Sequence, residues 1–301
     1  MSYNPKNQSI LQLESDWKRQ YSGVFDRTKK EWLPVIREFM REETGLSMHQ
    51  KRVEKKIVKD TNLNFDFIQD SEWNFLKLID DEFPNLDFNE LLALRKLNQV
   101  LDKTGSFFNS EQKPVQEFAK LKRYSDDYLK ANDIEKVIDK IFKSKSGDYD
   151  IFGRYTYLTG RIVIYYIPLI LFARLKQLSL EFCLVITLVH EIAHAFHHTG
   201  KDKDGTTWTK MSKVDINILE GLAQYYTWRF VELYKTSHPE LKNAYESTLK
   251  CQSGPYLKHN DWIENYKAEH VKQALTAIRR NNNVKYEDFV GLLNTSKDML
   301  T

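Results

Sequence analysis

One apolar segment with histidines and a glutamate inside it constrains the fold more than any other stretch of this sequence. The apolar run begins near Phe182 and contains HEIAHAFHH at residues 190–198, in which four of the nine residues are histidines. Ser179 is a suitable N-cap and Gly200 a suitable C-terminal residue, so the segment is predicted to form one helix. Burying histidines and a carboxylate without partners costs several kcal/mol. The helix is therefore expected to carry a group that satisfies them.

The spacing of these polar residues indicates a metal site. His190 and His194 are four residues apart, so on a helix their rings project from one face about 6 Å apart along the axis. Neutral imidazoles in this arrangement can bind one zinc ion. Glu191 is offset by about 100°, where it can reach a water on the metal rather than the metal itself. The pattern predicts His190 and His194 as ligands and Glu191 as the catalytic base.

The third ligand is expected from another part of the chain. A catalytic zinc ion usually has three protein ligands and one position open for water. His197 lies seven residues beyond His190, which is about 10 Å along the helix and too far to share the ion. His197 and His198 are instead expected at the helix end, where they favour the C-terminal dipole or line a cleft.

Glu220 is the predicted third ligand. It lies in NILEGLAQYYTWRF, on a helix predicted from about Asp215 to Lys235, and the preceding loop can bring that helix back beside the first. Gly221 is small enough to permit close contact between helices. Gln224 is expected to hydrogen-bond Glu220 or a histidine ring. Zn²⁺ is thus the expected cofactor.

Two further residues are candidates for stabilising the oxyanion of a transition state. Tyr256 and His259 lie in GPYLKHNDW, where Gly254-Pro255 fixes the approach to the next helix. We expect both to be catalytic, and ordinary surface positions are the alternative. Tyr225 and Tyr226 are expected to point away from the metal-binding face of their helix.

His190-Glu191-x-x-His194, followed on a second helix by Glu220-Gly-Leu-Ala, resembles the gluzincin branch of the zincin metallopeptidases. The resemblance covers roughly residues 150–235. It implies a zinc-dependent peptidase that hydrolyses peptide bonds, with Glu191 as general base and acid. It also implies that the strand before the motif helix, here Gly160–Tyr166, pairs with the substrate. The metzincin extension is absent, because Gly200 occupies the position of its third histidine.

The predicted fold class is α+β and predominantly helical. A zincin-like catalytic domain over residues 146–301, with a small β-sheet beside the HExxH helix, follows a helical region of unknown role over residues 1–145. YDIFGRYTYLTGRIVIYY is rich in strand-forming residues and has a predicted hairpin turn at Thr159-Gly160. Apolar periodicity predicts helices at several N-terminal segments: Trp32–Phe39, Phe67–Ile79, Leu91–Leu101 and Tyr124–Ile141.

Composition limits the class of protein. The chain has 301 residues, 41% of them hydrophobic, two cysteines and a net charge of +3. Two cysteines do not make a disulfide scaffold, so a reducing compartment is expected. The N-terminus has no apolar signal core, and the longest apolar run, Ile162–Phe172, is too short to span a bilayer. We therefore expect a cytoplasmic protein that does not engage a membrane and acts on a peptide or protein. The oligomeric state is left open.

Two alternatives to a peptidase remain. A catalytically silent regulatory or interaction protein would keep the zinc site without turnover. A nucleic-acid-associated factor would use a basic helix predicted over residues 51–59, although such a run is usually a solvated face and the net charge is only +3. The basic residues of that helix are Lys51, Arg52, Lys55, Lys56 and Lys59.

Overall fold

The computed structural model of the chain describes residues 5–48, 64–68, 83, 88–104, 113–146, 151–281 and 284–299. The strands are β1 (Asn64–Ile68), β2 (Gly153–Thr156) and β3 (Arg161–Tyr165). The helices are α1 (Pro5–Thr44), α2 (Phe88–Thr104), α3 (Lys113–Ala131), α4 (Ile134–Ser146), α5 (Tyr166–Leu175), α6 (Leu180–Thr199), α7 (Ile216–Tyr234), α8 (Pro239–Leu249), α9 (His259–Asn265), α10 (Ala268–Ile278) and α11 (Tyr286–Met299). The predicted class, α+β and predominantly helical, is confirmed.

The described strands form one small sheet in the order β1-β3-β2. β2 and β3 are antiparallel and are joined by a tight turn, in which Gly160 has a φ of +63°. A residue without a Cβ adopts this left-handed conformation at little cost. The hairpin predicted at Thr159-Gly160 is therefore confirmed.

β3 is the central strand. Arg161 to Tyr165 pair in parallel with β1 on one side, and Arg161 to Ile164 pair with β2 on the other. Because both edges of β3 are already paired, an added strand has no edge of β3 to bind. The substrate-pairing role predicted for Gly160–Tyr166 is wrong for this reason. Among the described strands, β2 is the edge strand on the side of the motif helix.

β1 also corrects one helix prediction. Phe67 and Ile68 belong to a strand, whereas a helix was expected from Phe67 to Ile79. The sequence Asn64–Ile68, NFDFI, alternates polar and apolar residues before its last position, which is the pattern of a strand. The rest of that predicted helix, and the basic segment 51–59, lie outside the described residues.

The motif helix α6 lies in the centre of the molecule. It packs against α1, α5, α7 and α8 and against the sheet, and it is buried from Cys183 to His197. Ser179 Oγ accepts a hydrogen bond from Phe182 N at 3.5 Å, and the helix ends before Gly200, as predicted. The caps are thus set by residues at both ends of the apolar run.

α6 is also the one helix in the described part of the chain that is long and apolar enough to cross a membrane by length and composition. Of its most apolar window, 83% is buried inside the structure. The core helix of a soluble protein passes the same test, so this is weak evidence for a membrane span.

α1 packs against the motif helix and against α7. The Trp32 and Phe39 rings lie 6.0 and 5.1 Å from that of Phe230, and Arg229 forms two hydrogen bonds of 2.9 Å to the Glu43 carboxylate. The described residues on both sides of residue 146 therefore share one hydrophobic core. The division into regions 1–145 and 146–301 stays a prediction.

The predicted bounds of the motif helix and of the helix from about Asp215 to Lys235 agree with those observed, whereas Trp32–Phe39 is only part of the longer α1 and Tyr124–Ile141 spans parts of both α3 and α4. α7 begins after Asp215, whose carboxylate accepts from Asn217 N at 2.9 Å. α5 begins two residues before Pro168, and α8 begins at Pro239. Proline favours the first turn of a helix because its φ is already suitable and that turn needs no N–H donor.

Gly221 permits another helix to pack closely on α7, but that helix is α9 rather than the motif helix α6. A Cβ at this position would lie 2.5 Å from Cη2 of Trp262, a residue of α9 that is 1% exposed. The indole ring therefore packs directly on the backbone of α7. This contact fixes α9 relative to the helix that carries Glu220.

We expect Gly221→Ala to destabilise the protein by about 1–3 kcal/mol, because the added methyl group forces the buried indole to move. Thermal unfolding followed by circular dichroism measures the effect. In a double-mutant cycle, Trp262→Phe should relieve part of the loss caused by Gly221→Ala. Additive losses would show that the two residues do not interact.

Candidate metal centre

The motif helix places two histidine rings on one buried face. His190 and His194 are 8% and 4% exposed, and their Nε2 atoms are 3.2 Å apart. The rings stand nearly perpendicular, with an angle of 81° between their planes. Residues four apart on a helix lie one above the other, so this convergence follows from the spacing.

α7 brings a carboxylate to the same point. Glu220 Oε2 lies 3.1 Å from His190 Nε2 and 3.4 Å from His194 Nε2. Glu220 is 6% exposed, and the three residues together can hold a metal ion. Within the described ranges this is the one group of His, Cys, Asp and Glu residues close enough to do so.

The distances between these atoms suit a tetrahedral ion. With bonds of about 2.0–2.1 Å, two ligand atoms of a tetrahedral zinc site are roughly 3.3–3.4 Å apart. The three separations observed here, 3.1, 3.2 and 3.4 Å, are close to that value. Metal-binding imidazole nitrogens and carboxylate oxygens all present lone pairs, so a cation between them removes their mutual repulsion. The residues therefore fit a metal ion.

The pKa shifts of His190 and Glu220 favour the forms that bind a metal. Burial lowers the pKa of His190, against the opposing effect of its hydrogen bond to Glu220, and so favours the neutral ring. Burial by itself raises the pKa of Glu220. The charge of His194 and the hydrogen bonds with both histidines outweigh burial, so that pKa lies well below its usual value. A neutral imidazole and an ionised carboxylate are the forms that bind a metal.

Glu191 lies on the adjacent side of α6, beside β2. A Cβ at Gly153 would lie 3.2 Å from both Cγ and Oε1 of Glu191, and 2.8 Å from Cγ2 of Thr187. The strand thus approaches the helix closely only because residue 153 has no side chain. Glu191 is 4% exposed and is outside the group of three ligand atoms.

His190 and Glu191 line the same cavity, which measures about 60 Å³. This is several times the roughly 10–15 Å³ that one water molecule requires by the same measure. The walls come from β2 and the residues before it, from α6 and α7, and from α8 and the segment after it. The other lining residues are Ile151, Phe152, Gly153, Ile186, Thr187, Gln224, Thr248, Gln252 and Tyr256.

Tyr256 lies beside the metal-binding group. Its ring is stacked on that of His190, with centroids 5.9 Å apart and 29° between the planes, and it lines the cavity. It belongs to a short 3₁₀ turn, Gly254–Leu257, that packs on α7. The structure therefore places this predicted residue within the site.

His259 is fully buried, and both of its ring nitrogens are engaged. Nδ1 is 2.8 Å from the carbonyl oxygen of Tyr256, so it carries the proton, since a carbonyl only accepts. Nε2 then accepts from the hydroxyl of Tyr245 at 2.9 Å. Burial lowers the pKa of His259 to about 4. His259 thus anchors the turn that carries Tyr256, and its predicted catalytic role stays a prediction.

Gln224 is placed differently from the expectation. Its amide nitrogen donates to Oε1 of Gln252, a residue that no sequence motif indicates. Its own Oε1 is buried without a hydrogen bond among the described residues. The predicted hydrogen bond to Glu220 or a histidine ring is therefore wrong. Gln252 was missed because it lies in a segment between helices with no periodic pattern.

The hairpin supplies two tyrosines, Tyr155 and Tyr157, for which the sequence pattern indicates only strand formation. The Tyr155 hydroxyl is 2.9 Å from His198 Nδ1, and the Tyr157 ring lies 6.5 Å from that of His194 at 90°. His197 is fully buried against Tyr226, so it does not line a cleft. The expectation that His197 and His198 lie at the helix end, outside the ligand group, is confirmed.

No protein-family model, curated protein or solved structure matches this chain. The resemblance to the gluzincins therefore stays an expectation drawn from the motif residues of the sequence.

We expect one equivalent of zinc to bind the purified protein, and Glu220→Ala to weaken that binding by more than about tenfold because a ligand is lost. Glu191→Gln should retain the parent affinity, since that carboxylate is outside the ligand group. Competition with a chromogenic chelator measures both affinities. Equal zinc affinity in Glu220→Ala and the parent would show that the third ligand is elsewhere.

Proposed function

We propose that this protein is a zinc-dependent peptidase that hydrolyses peptide bonds. The observation that carries the proposal is the position of Glu191. Glu191 lines the same cavity as His190 but is outside the group of converging ligand atoms of His190, His194 and Glu220. Such a site separates the residues that hold a metal from the residue that moves a proton.

His190, His194 and Glu220 would hold the zinc ion. When bound, zinc supplies a Lewis acid that lowers the pKa of a water molecule towards neutrality. The two imidazoles are neutral ligands, and Glu220 carries one negative charge. The ion and its three ligands together would therefore keep a net positive charge. Burial of all three residues keeps that charge unscreened.

We assign both proton transfers of the reaction to the Glu191 carboxylate. This group takes a proton from water as the oxygen attacks the scissile carbonyl, and then delivers that proton to the leaving amine. Gly153 lets the strand lie directly against this carboxylate. The cavity is large enough to hold water beside Glu191 and His190.

The edge of β2 is the proposed binding site for the peptide backbone. Tyr165 N donates to Phe152 O at 2.9 Å, so this pair is a hydrogen-bonded position of the antiparallel ladder. Hydrogen-bonded and non-hydrogen-bonded pairs alternate along an antiparallel ladder, so Gly153 and Tyr155 both belong to non-hydrogen-bonded pairs with β3. Their N–H and C=O groups therefore point away from β3, towards the other edge of β2. An extended peptide that pairs with them would lie beside Glu191.

A regulatory zinc-binding protein remains the alternative. It would share the metal affinity and lack turnover. A carboxylate beside the metal group, in a cavity large enough for water, favours catalysis over simple metal storage. No described residue bears on nucleic-acid binding by residues 51–59.

Glu191→Gln is the main test of the peptidase proposal. The substitution keeps the size of the side chain and removes the base, so turnover of a mixed peptide library should fall by about 10²–10⁴-fold while zinc content is unchanged. Mass spectrometry of the products measures turnover. Glu246→Gln, at an exposed position on α8, is the matched control. Parent protein that binds zinc and cleaves no peptide would contradict the proposal.

Tyr256 is the better placed of the two predicted oxyanion stabilisers, because it lines the cavity while both nitrogens of His259 are engaged. Tyr256→Phe should lower kcat by roughly a hundredfold, with zinc content unchanged, if the hydroxyl stabilises the developing charge. Tyr245→Phe removes a buried hydroxyl outside the cavity, so it should lower thermal stability rather than kcat. Unchanged kcat in Tyr256→Phe would remove that residue from the mechanism.

A further inference from the structure

Two glutamines form one wall of the cavity beside the metal centre. Gln224 on α7 is 3% exposed, and its amide donates to Gln252, which follows α8. Both line the cavity with His190 and Glu191. The buried Gln224 Oε1 has no hydrogen bond among the described residues, although burying an unsatisfied acceptor costs about 1–3 kcal/mol. A ligand group in the cavity could satisfy this atom.

The chemistry that this pair presents is independent of how each amide is oriented. In the orientation described, Gln224 Oε1 remains as an acceptor and the Gln252 amide nitrogen as a donor. Turning both amides over reverses the shared bond and leaves a donor on Gln224 and an acceptor on Gln252. Either arrangement offers one donor and one acceptor, which is the complement of a carboxamide.

Apart from Glu191, the other described residues that line the cavity are apolar or neutral. Ile151, Phe152 and Ile186 line the cavity, and none of the described lining residues is a lysine or an arginine. An acidic side chain would be repelled by the Glu191 carboxylate, and a carboxylate has no N–H to donate to Gln224 Oε1. A basic side chain could pair only with Glu191, which the proposed proton transfers require. A neutral side chain that both donates and accepts fits these walls best.

We propose that Gln224 and Gln252 form a subsite for a carboxamide side chain, so that the peptide substrate carries glutamine or asparagine next to the scissile bond. The inference rests on the proposed peptidase function. It assigns the two glutamines to substrate recognition, where they set specificity and take no part in proton transfer.

Binding to the zinc-loaded Glu191→Gln variant tests the subsite without turnover. The probes are hexapeptides that carry Gln, Glu or the similarly sized Met at each position in turn, and isothermal titration calorimetry measures Kd. At one position, Gln should bind at least about tenfold more tightly than Met or Glu, since a site built for hydrogen bonds rejects analogues that lack them. Gln252→Met in this background should reduce that ratio to about twofold or less.

Two controls keep the result specific. Gln273→Met, a change on α10 at a residue that does not line the cavity, should preserve the preference for Gln. Gln252 is half-buried on a segment between helices, so its substitution is tolerated better than that of Gln224. Circular dichroism confirms that each variant is folded before titration.

The outcomes separate the two proposals. Equal binding of Gln, Glu and Met at every position, with peptide cleavage by the parent, overturns the subsite and leaves the peptidase intact. A preference for Gln that depends on Gln252, without cleavage by the parent, supports carboxamide recognition and overturns the peptidase. A preference for Gln that survives Gln252→Met also overturns the subsite, and absence of both binding and cleavage overturns both proposals.

Discussion

The convergence of His190, His194 and Glu220 between two buried helices is the constraint on which the rest of the structure depends. Polar atoms in a low-dielectric interior are stable only when they satisfy one another or bind a cation. The helices must therefore approach closely and in one register, since a displacement of even one residue would separate the carboxylate from the rings. The apolar residues around these three side chains hold that register, and they also exclude the water that would otherwise screen the charges.

The surrounding elements can be understood from what this pair of helices requires. α1 covers the outer side through Trp32 and Phe39, and the Arg229–Glu43 ion pair joins it to α7. The sheet covers another side and comes close because Gly153 has no side chain. The segment after α8 closes the remaining side with Tyr256. The cavity lies between these elements, over His190 and Glu191.

Local patterns were enough to predict the parts of the protein that depend on local geometry. The i, i+4 spacing of His190 and His194 fixes their common face, and the caps at Ser179 and Asp215 set where two helices begin. Pairings between distant segments were beyond such patterns. Periodicity could not show that β3 has strands on both sides, so the wrong edge was assigned to the substrate. The contact of Gln224 with Gln252 joins segments 28 residues apart, and no pattern near either residue signals it.

The parallel pairing of β1 with β3 has a consequence for the order in which the chain can assemble. Asn64 pairs with Arg161, 97 residues later in the sequence, and closing a loop of that length opposes rapid formation of the sheet. During synthesis β1 emerges long before its partner strand, with its backbone groups unpaired by the sheet and open to other chains. The first part of the molecule therefore depends on residues made much later. Chaperones that bind exposed strands would act on this chain early, well before the motif helix has left the ribosome.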